Sequence, residues 1–311
     1  MIRLLEAFLV ALIVVALVAP TLIARLRGLA FGQTVYELAP QTHRAKAGTP
    51  TMGGVLFLAA PLAALLFAPD RRVLALTVLV VACMAIGAVD DVASIRKQKN
   101  RGLRALPKFA LTALAAVVFL AVAGPQPPVL LGIGVVPVWL WYVLSVCVVL
   151  ATTHAVNLTD GLDGLASGTI VPPLIVLAVL AWRLQIGDVA AFDLATLGAV
   201  LGFLLYNRHP ARVFMGDTGS LALGGALAGG AILCGAHLLL LVIGGVFAAE
   251  TLSVIVQVAS YKTTRRRVFR KSPLHHHFEE GGWPETRVTT SFWLASLVLS
   301  LLGFALIART A

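Results

Sequence analysis

Asn157-Leu-Thr-Asp-Gly-Leu-Asp-Gly-Leu-Ala166 begins where an apolar run over 135–156 stops, and another apolar run starts at 168. Asp160 and Asp163 stand three residues apart, a spacing that puts both on one face if the segment is helical. Gly161 and Gly164 remove side chains beside them, so a backbone or a ligand can approach closely. Carboxylates at the mouth of a membrane segment are costly and need a partner or a task. A solvated loop with turn glycines accounts for one such acid. It does not account for the further acidic stretches at the ends of other apolar runs.

The chain around this stretch has 311 residues, 59% hydrophobic and 12% charged. Soluble chains sit near about 45–50% apolar and about 25% charged, which makes this an all-α, multi-span membrane protein. Ten runs are long enough to span at about 1.5 Å rise per residue against a core of about 30 Å. They cover 3–24, 51–68, 73–89, 107–123, 135–156, 168–183, 190–206, 219–236, 239–260 and 289–308. The first has the look of a signal peptide, but Arg25, Arg27 and nine further spans follow it, so it is read as a retained helix. Cys83, Cys147 and Cys234 lie inside apolar runs, form no CxxC pair and read as small buried hydrophobes.

Lysine and arginine give the orientation. The connections 25–50, 90–108, 207–218 and 261–288 carry 19 of the 24 basic residues. Ten spans place all four on one side, the cytoplasm, and both termini on the outer side. The longest hydrophilic connection, 261–288, is too short to fold alone, so residues 1–311 are expected to form one polytopic membrane domain. Chemistry is then assembled from loops and helix ends on the cytoplasmic face, and no nucleic-acid partner is expected.

Asp90, Asp91, Asp160, Asp163 and Asp217 all fall on that side, from three separate connections. Mixed with Lys46, Lys108, His275, His276 and His277, they point to a magnesium-dependent phosphate site, since Mg²⁺ takes a few carboxylates plus phosphate oxygens and water. Asp90-Asp91 ends the third span, and adjacent carboxylates of this kind suit metal binding or general-base work. Phe214-Met-Gly-Asp-Thr-Gly-Ser220 opens the eighth span, where Gly216, Gly219 and Ser220 at a helix N-terminus suit phosphate binding by backbone N–H groups. Asp217 among them implies a bridging cation, and Phe214 is placed to stack on a base. The plain alternative is a helix cap by Asp217.

Lys46-Ala-Gly-Thr-Pro-Thr-Met-Gly-Gly54 offers a cation and two hydroxyls, with an ordinary Pro/Gly turn as the bland reading. In Arg270-Lys-Ser-Pro-Leu-His-His-His-Phe-Glu279, three consecutive histidines cannot all ligate one metal from a regular element. Phosphate contact, proton transfer or loop structure is preferred there to a zinc site. Glu250, inside the ninth run, marks a broken helix with water access or pairs with a cytoplasmic arginine, and no catalytic role is assigned to it.

With these stretches in view, the chain resembles the bacterial phospho-N-acetylmuramoyl-pentapeptide-transferases, within the polyprenyl-phosphate N-acetylhexosamine-1-phosphate transferases. The matching residues are Phe31-Gly-Gln, Gly48 to Gly54, Asp90-Asp91, Asn157 to Ala166, Phe214 to Gly225, Glu250 to Val254 and Pro273 to Glu279, extended by Gly282-Trp-Pro-Glu285 and Arg287. The resemblance implies ten helices, usually as a homodimer, in the bacterial cytoplasmic membrane. It implies transfer of phospho-MurNAc-pentapeptide from UDP-MurNAc-pentapeptide to undecaprenyl phosphate, giving lipid I and UMP, with Mg²⁺ required. Position by position, it makes Asp217 the magnesium ligand, with Asp90 the base toward the lipid phosphate and Asp91 beside it as support and further candidate ligand. Asn157, Asp160 and Asp163 would hold the nucleotide end, with Phe214 against the uracil and Asn207 nearby. Lys46, Thr51 and Lys108 would meet phosphates. His275 would act at the diphosphate or sugar, with His276 and His277 contacting substrate.

One departure stands out: Ser94 occupies the position, three after the second aspartate of the pair, where many members carry lysine, leaving Arg96, Lys97 or Lys108 as the nearby cation. Two other readings compete. A sister transferase using UDP-GlcNAc fits the acids equally well but not the stretch 273–287. A secondary transporter would gather its ionisable residues near the midplane, often in repeated halves, and neither feature is visible here.

Overall fold

A computed structural model describes residues 2–28, 48–97 and 102–310 of the chain. A backbone in hydrocarbon must satisfy its own N–H and C=O groups, and the apolar runs accordingly become helices. Helix α1 spans Ile2–Gly28; a 3-10 turn over Gly53–Leu58 leads into α2, Ala59–Phe67. Then come α3 (Arg71–Lys97), α4 (Ala105–Ala123), a hairpin of β1 (Val129–Leu130) and β2 (Gly134–Val135), and α5 (Val138–Thr159). After a turn follow α6 (Leu165–Thr169), α7 (Val171–Arg183), α8 (Gly187–Asn207) and α9 (Gly216–Leu233). The chain closes with α10 (Leu240–Ile243), α11 (Gly245–Thr264), α12 (Leu274–Glu279) and α13 (Glu285–Thr310).

Seven helical stretches among the described residues are long and apolar enough to cross a membrane: 2–28, 71–96, 105–123, 138–159, 165–183, 187–207 and 285–307. Three of the ten expected runs fall short of that measure, for readable reasons. The run 51–68 spends Gly53–Leu58 in the 3-10 geometry and keeps only Ala59–Phe67 as α-helix. Helix α9 is diluted by six glycines in 18 residues. The run 239–260 breaks at Gly244 into α10 and α11, and α11 carries Glu250, Gln257 and several hydroxyls.

Helix α9 is the hub. Every residue from Thr218 to Leu233 is buried, and the helix packs on α3 and α5 along most of its length. The spans 165–183 and 187–207 are 72% buried, whereas 2–28, 105–123, 138–159 and 285–307 are 28% buried, so the latter form the outer ring. That ring turns large apolar side chains such as Leu17, Leu114 and Leu301 outward, as a lipid-facing surface requires. Cys83 and Cys234 are buried as expected, but Cys147 is exposed on the outward side of α5.

The close approach of α3 to α9 rests on Gly87. A Cβ there would overlap the Asp217 carbonyl and the Thr218 backbone nitrogen. Gly87→Ala should therefore lever the start of α9 away from α3, an overpacking cost of about 1–3 kcal/mol. Thermal unfolding in detergent should show a lower Tm than wild type; an unchanged Tm would contradict this packing.

Candidate active site

The start of α9 is capped by another helix. Its own cap position, Met215, offers no side-chain hydrogen bond. Asp91, near the end of α3, supplies one instead: Oδ1 accepts from the Asp217 N–H at 3.0 Å, and Oδ2 from the Thr218 N–H at 2.9 Å and the Thr218 hydroxyl at 2.6 Å. First-turn N–H groups have no partner inside their helix, and a carboxylate there is favoured by both hydrogen bonding and the helix dipole. The sequence reading offered these N–H groups to a phosphate. Two of them are taken by Asp91.

Fixed in this way, Asp217 meets side chains from two further helices. Asn157, in the last turn of α5, donates through Nδ2 to Asp217 Oδ1 at 2.7 Å and to Ser220 Oγ at 2.8 Å. Lys108, in the first turn of α4, donates to Asp217 Oδ2 and lies 3.7 Å from Asp90 Oδ1. Asp90 Oδ1 also accepts from the Leu103 N–H at 2.9 Å. Thr51 stands against Gly216, where a side chain would meet its hydroxyl at 2.7 Å. Thus Thr51, Asp90, Asp91, Lys108, Asn157 and Asp217 converge, and Lys108 is the cation that serves where Ser94 leaves a gap. Lys46 lies outside the described residues.

Two carboxylates, Asp217 and Asp90, share the Lys108 ammonium with Asp91 beside them, so the group carries net negative charge at a largely buried place. The side chains of Lys108 and Asp90 are only 13% and 12% exposed. A hard cation with oxygen ligands suits that deficit, and the donors of Asp217 and Asp90 are all oxygen. Their common approach to the Lys108 ammonium marks where positive charge is favoured. The residues fit Mg²⁺.

The stretch 157–166 is not helical throughout. Helix α5 ends at Thr159, and residues 160–164 form a turn closed by Gly164 in the left-handed conformation at φ 72°. Both aspartates consequently lie past the helix end, in the turn, and helical spacing does not set their faces. Asp160 is half-buried, whereas Asp163 is 2% exposed. Asp163 Oδ2 takes His209 Nδ1 at 3.1 Å and the Ala211 N–H at 3.0 Å, while its own N–H donates to Glu285 Oε1 at 2.7 Å. Ligand atoms of Asp163, His209 and Glu285 lie within 4.8 Å of one another. The bonds they already make read as a lock joining the turn, the 208–215 connection and the start of α13.

Asn207 backs this lock, accepting from Ser167 Oγ at 2.7 Å and donating to Val213 O at 3.0 Å. Phe214 is half-buried, its backbone strung between Pro50 O and the Gly53 N–H, each at 2.9 Å. The three histidines separate by role. His275 is buried against Glu250 at 3.1 Å. His276 Nδ1 pairs with Glu279 Oε2 at 2.8 Å. His277 Nδ1 accepts the Arg270 N–H at 3.1 Å, and its ring abuts Phe269 and Phe278. Of the two readings for Glu250, a water-accessible break or an arginine pair, the structure shows neither at its side chain among the described residues: Glu250 is buried and takes His275. His209 was missed because a lone histidine after an apolar run carries no spacing signal; Glu285 entered only through the resemblance.

Burial pushes the His276 pKa down, and its hydrogen bond to the Glu279 carboxylate opposes that only in part. A folded pKa below the unfolded value of about 6.5 means that the unfolded chain binds more protons as pH falls through that value. His276 therefore withdraws stability below about pH 6.5. His276→Gln should lose less Tm than wild type between about pH 7.5 and about pH 5.5; equal losses would contradict the assignment.

Comparison with known proteins gives the family. The description "Glycosyl transferase family 4" matches residues 73–235, and "Phospho-N-acetylmuramoyl-pentapeptide-transferase signature 1" matches residues 46–58. The phospho-N-acetylmuramoyl-pentapeptide-transferase of Heliobacterium modesticaldum is 48% identical over 311 residues, covering 96% of each chain. Those of Geobacillus kaustophilus and Bacillus subtilis are 45% and 42% identical, covering at least 95% of both chains. Identity at this level over nearly the whole length, with the signature in place, means that the chain belongs to the phospho-N-acetylmuramoyl-pentapeptide-transferase family.

Proposed function

We propose that this protein transfers phospho-MurNAc-pentapeptide from UDP-MurNAc-pentapeptide to undecaprenyl phosphate, releasing UMP and forming lipid I. The observation that carries the reading is the convergence of Asp217, Asp90, Asn157 and Lys108 from four helices onto one charged point. The names of the relatives supply the class of reaction, a phospho-sugar transfer in a membrane. One diphosphate bond is exchanged for another, so positioning and charge neutralisation carry most of the work.

Asp217 and Asp90 would hold Mg²⁺, which when bound offsets charge on the diphosphate. Asp91 serves by holding the backbone of Asp217 and Thr218, one oxygen on each N–H. Lys108 and Thr51 face the phosphates, a role the resemblance extends to Lys46. Asp90, on the lipid side, accepts a proton from the acceptor phosphate. The turn at Asp160 and Asp163, with Asn207 and Phe214 behind it, receives the nucleotide, and His275, His276 and His277 border the sugar. The topology that fits is ten spans in one domain, both termini outside and the site on the cytoplasmic face of the bacterial inner membrane, as a homodimer. Supporting it are the one-sided basic loops and the gathering of helix ends at the site.

Purified protein with undecaprenyl phosphate and Mg²⁺ should release UMP from UDP-MurNAc-pentapeptide and not from UDP-GlcNAc. Asp217→Asn should lower the rate by about 10²–10³-fold, the scale for losing one preorganised charge contact. Release from UDP-GlcNAc alone would assign the protein to the sister transferases.

A further inference from the structure

Glu250 and His275 form a buried pair to which the transferase reading gives no joint task. Glu250 is fully buried on α11, and His275, at the start of α12, is 1% exposed. One oxygen, Glu250 Oε1, accepts from both the backbone N–H and the ring Nδ1 of His275, each at 3.1 Å. An acceptor at that position puts the ring hydrogen on Nδ1 and turns Nε2 away from the glutamate. Nε2 is buried and has no hydrogen-bond partner among the described residues. It faces Gly161, where any Cβ would overlap it. Buried polar atoms are nearly always paired, so an unpaired one aimed at the Asp160-Gly161 turn needs a reason.

A purely structural pair would satisfy itself. Here the backbone N–H alone would be enough to cap α12, yet the ring is also held, and its far nitrogen is directed at the turn bearing the site aspartates. We propose that Glu250 is a positioning residue. It locks His275 with Nδ1 protonated and with Nε2 packed against the Gly161 backbone, held there for a hydrogen-bonding group of the sugar-diphosphate substrate. This rests on the transferase reading and names a residue through which that site is set.

The test combines nitrogen NMR of ¹⁵N-histidine-labelled protein in detergent with steady-state kinetics, on wild type, Glu250→Gln and Glu250→Leu, with His275→Gln for assignment. Wild type should show His275 protonated at Nδ1. Glu250→Gln should keep that state, because the backbone N–H pins the amide oxygen where the carboxylate oxygen lay. Glu250→Leu should lose it and lower kcat by about 10–100-fold, the scale for removing an outer hydrogen-bond partner. Adding Glu250→Leu to His275→Gln should cost nothing further if Glu250 acts through the histidine. A wild-type His275 protonated only at Nε2, shifts unchanged in Glu250→Leu, or additive kinetic losses would each overturn the proposal. Wild-type protein inactive toward the nucleotide substrate would sink the transferase reading instead, while the nitrogen shifts would still decide the pair.

Discussion

The carboxylate that α3 lends to the first turn of α9 is the contact on which the rest of the site depends. Asp91 takes the N–H groups of Asp217 and Thr218 and the Thr218 hydroxyl. With those bonds made, the backbone of Asp217 is held, and only its side chain remains to be oriented. Asn157 and Lys108 do that from α5 and α4. A chain of fixed parts therefore runs from packing to chemistry: Gly87 allows the helices to meet, Asp91 joins them, and Asp217 is presented.

Charge explains why the arrangement sits at helix ends. Three carboxylates around one ammonium would be prohibitive at the bilayer centre, where each charge is costly. At the end of the bundle the local negative charge favours a divalent cation. A second set of bonds, from Asp163 to His209, Ala211 and Glu285, ties three connections together and keeps the neighbouring turn in one shape. The two sets flank a single stretch, Asn157 to Asp163, so both depend on how that stretch turns.

Much of this was legible in the residues. The apolar runs marked every long helix, because a membrane leaves the backbone no other way to pair. Of the acids sorted to one side by the basic loops, Asp90, Asp91 and Asp217 assemble with Lys108 and Asn157, while Asp163 is held apart by His209, Ala211 and Glu285. What could not be read was pairing across helices. Nothing local distinguishes Asp91, which caps α9, from Asp90, which approaches Lys108. The spacing of Asp160 and Asp163 suggested a shared helical face, but the helix ends at Thr159 and both fall in the turn that follows. Glu250 gave a signal, an acid inside an apolar helix, without naming the histidine 25 residues on that receives it.

The central claim, that acids from separate helices build one cation site organised by Asp217, can be tested without turnover. Mn²⁺ prefers similar oxygen ligands and can be followed by electron paramagnetic resonance on the purified protein. The account predicts saturable binding in wild type that is lost in Asp217→Asn and weakened in Asp90→Asn. Binding of equal affinity in wild type and Asp217→Asn would contradict it.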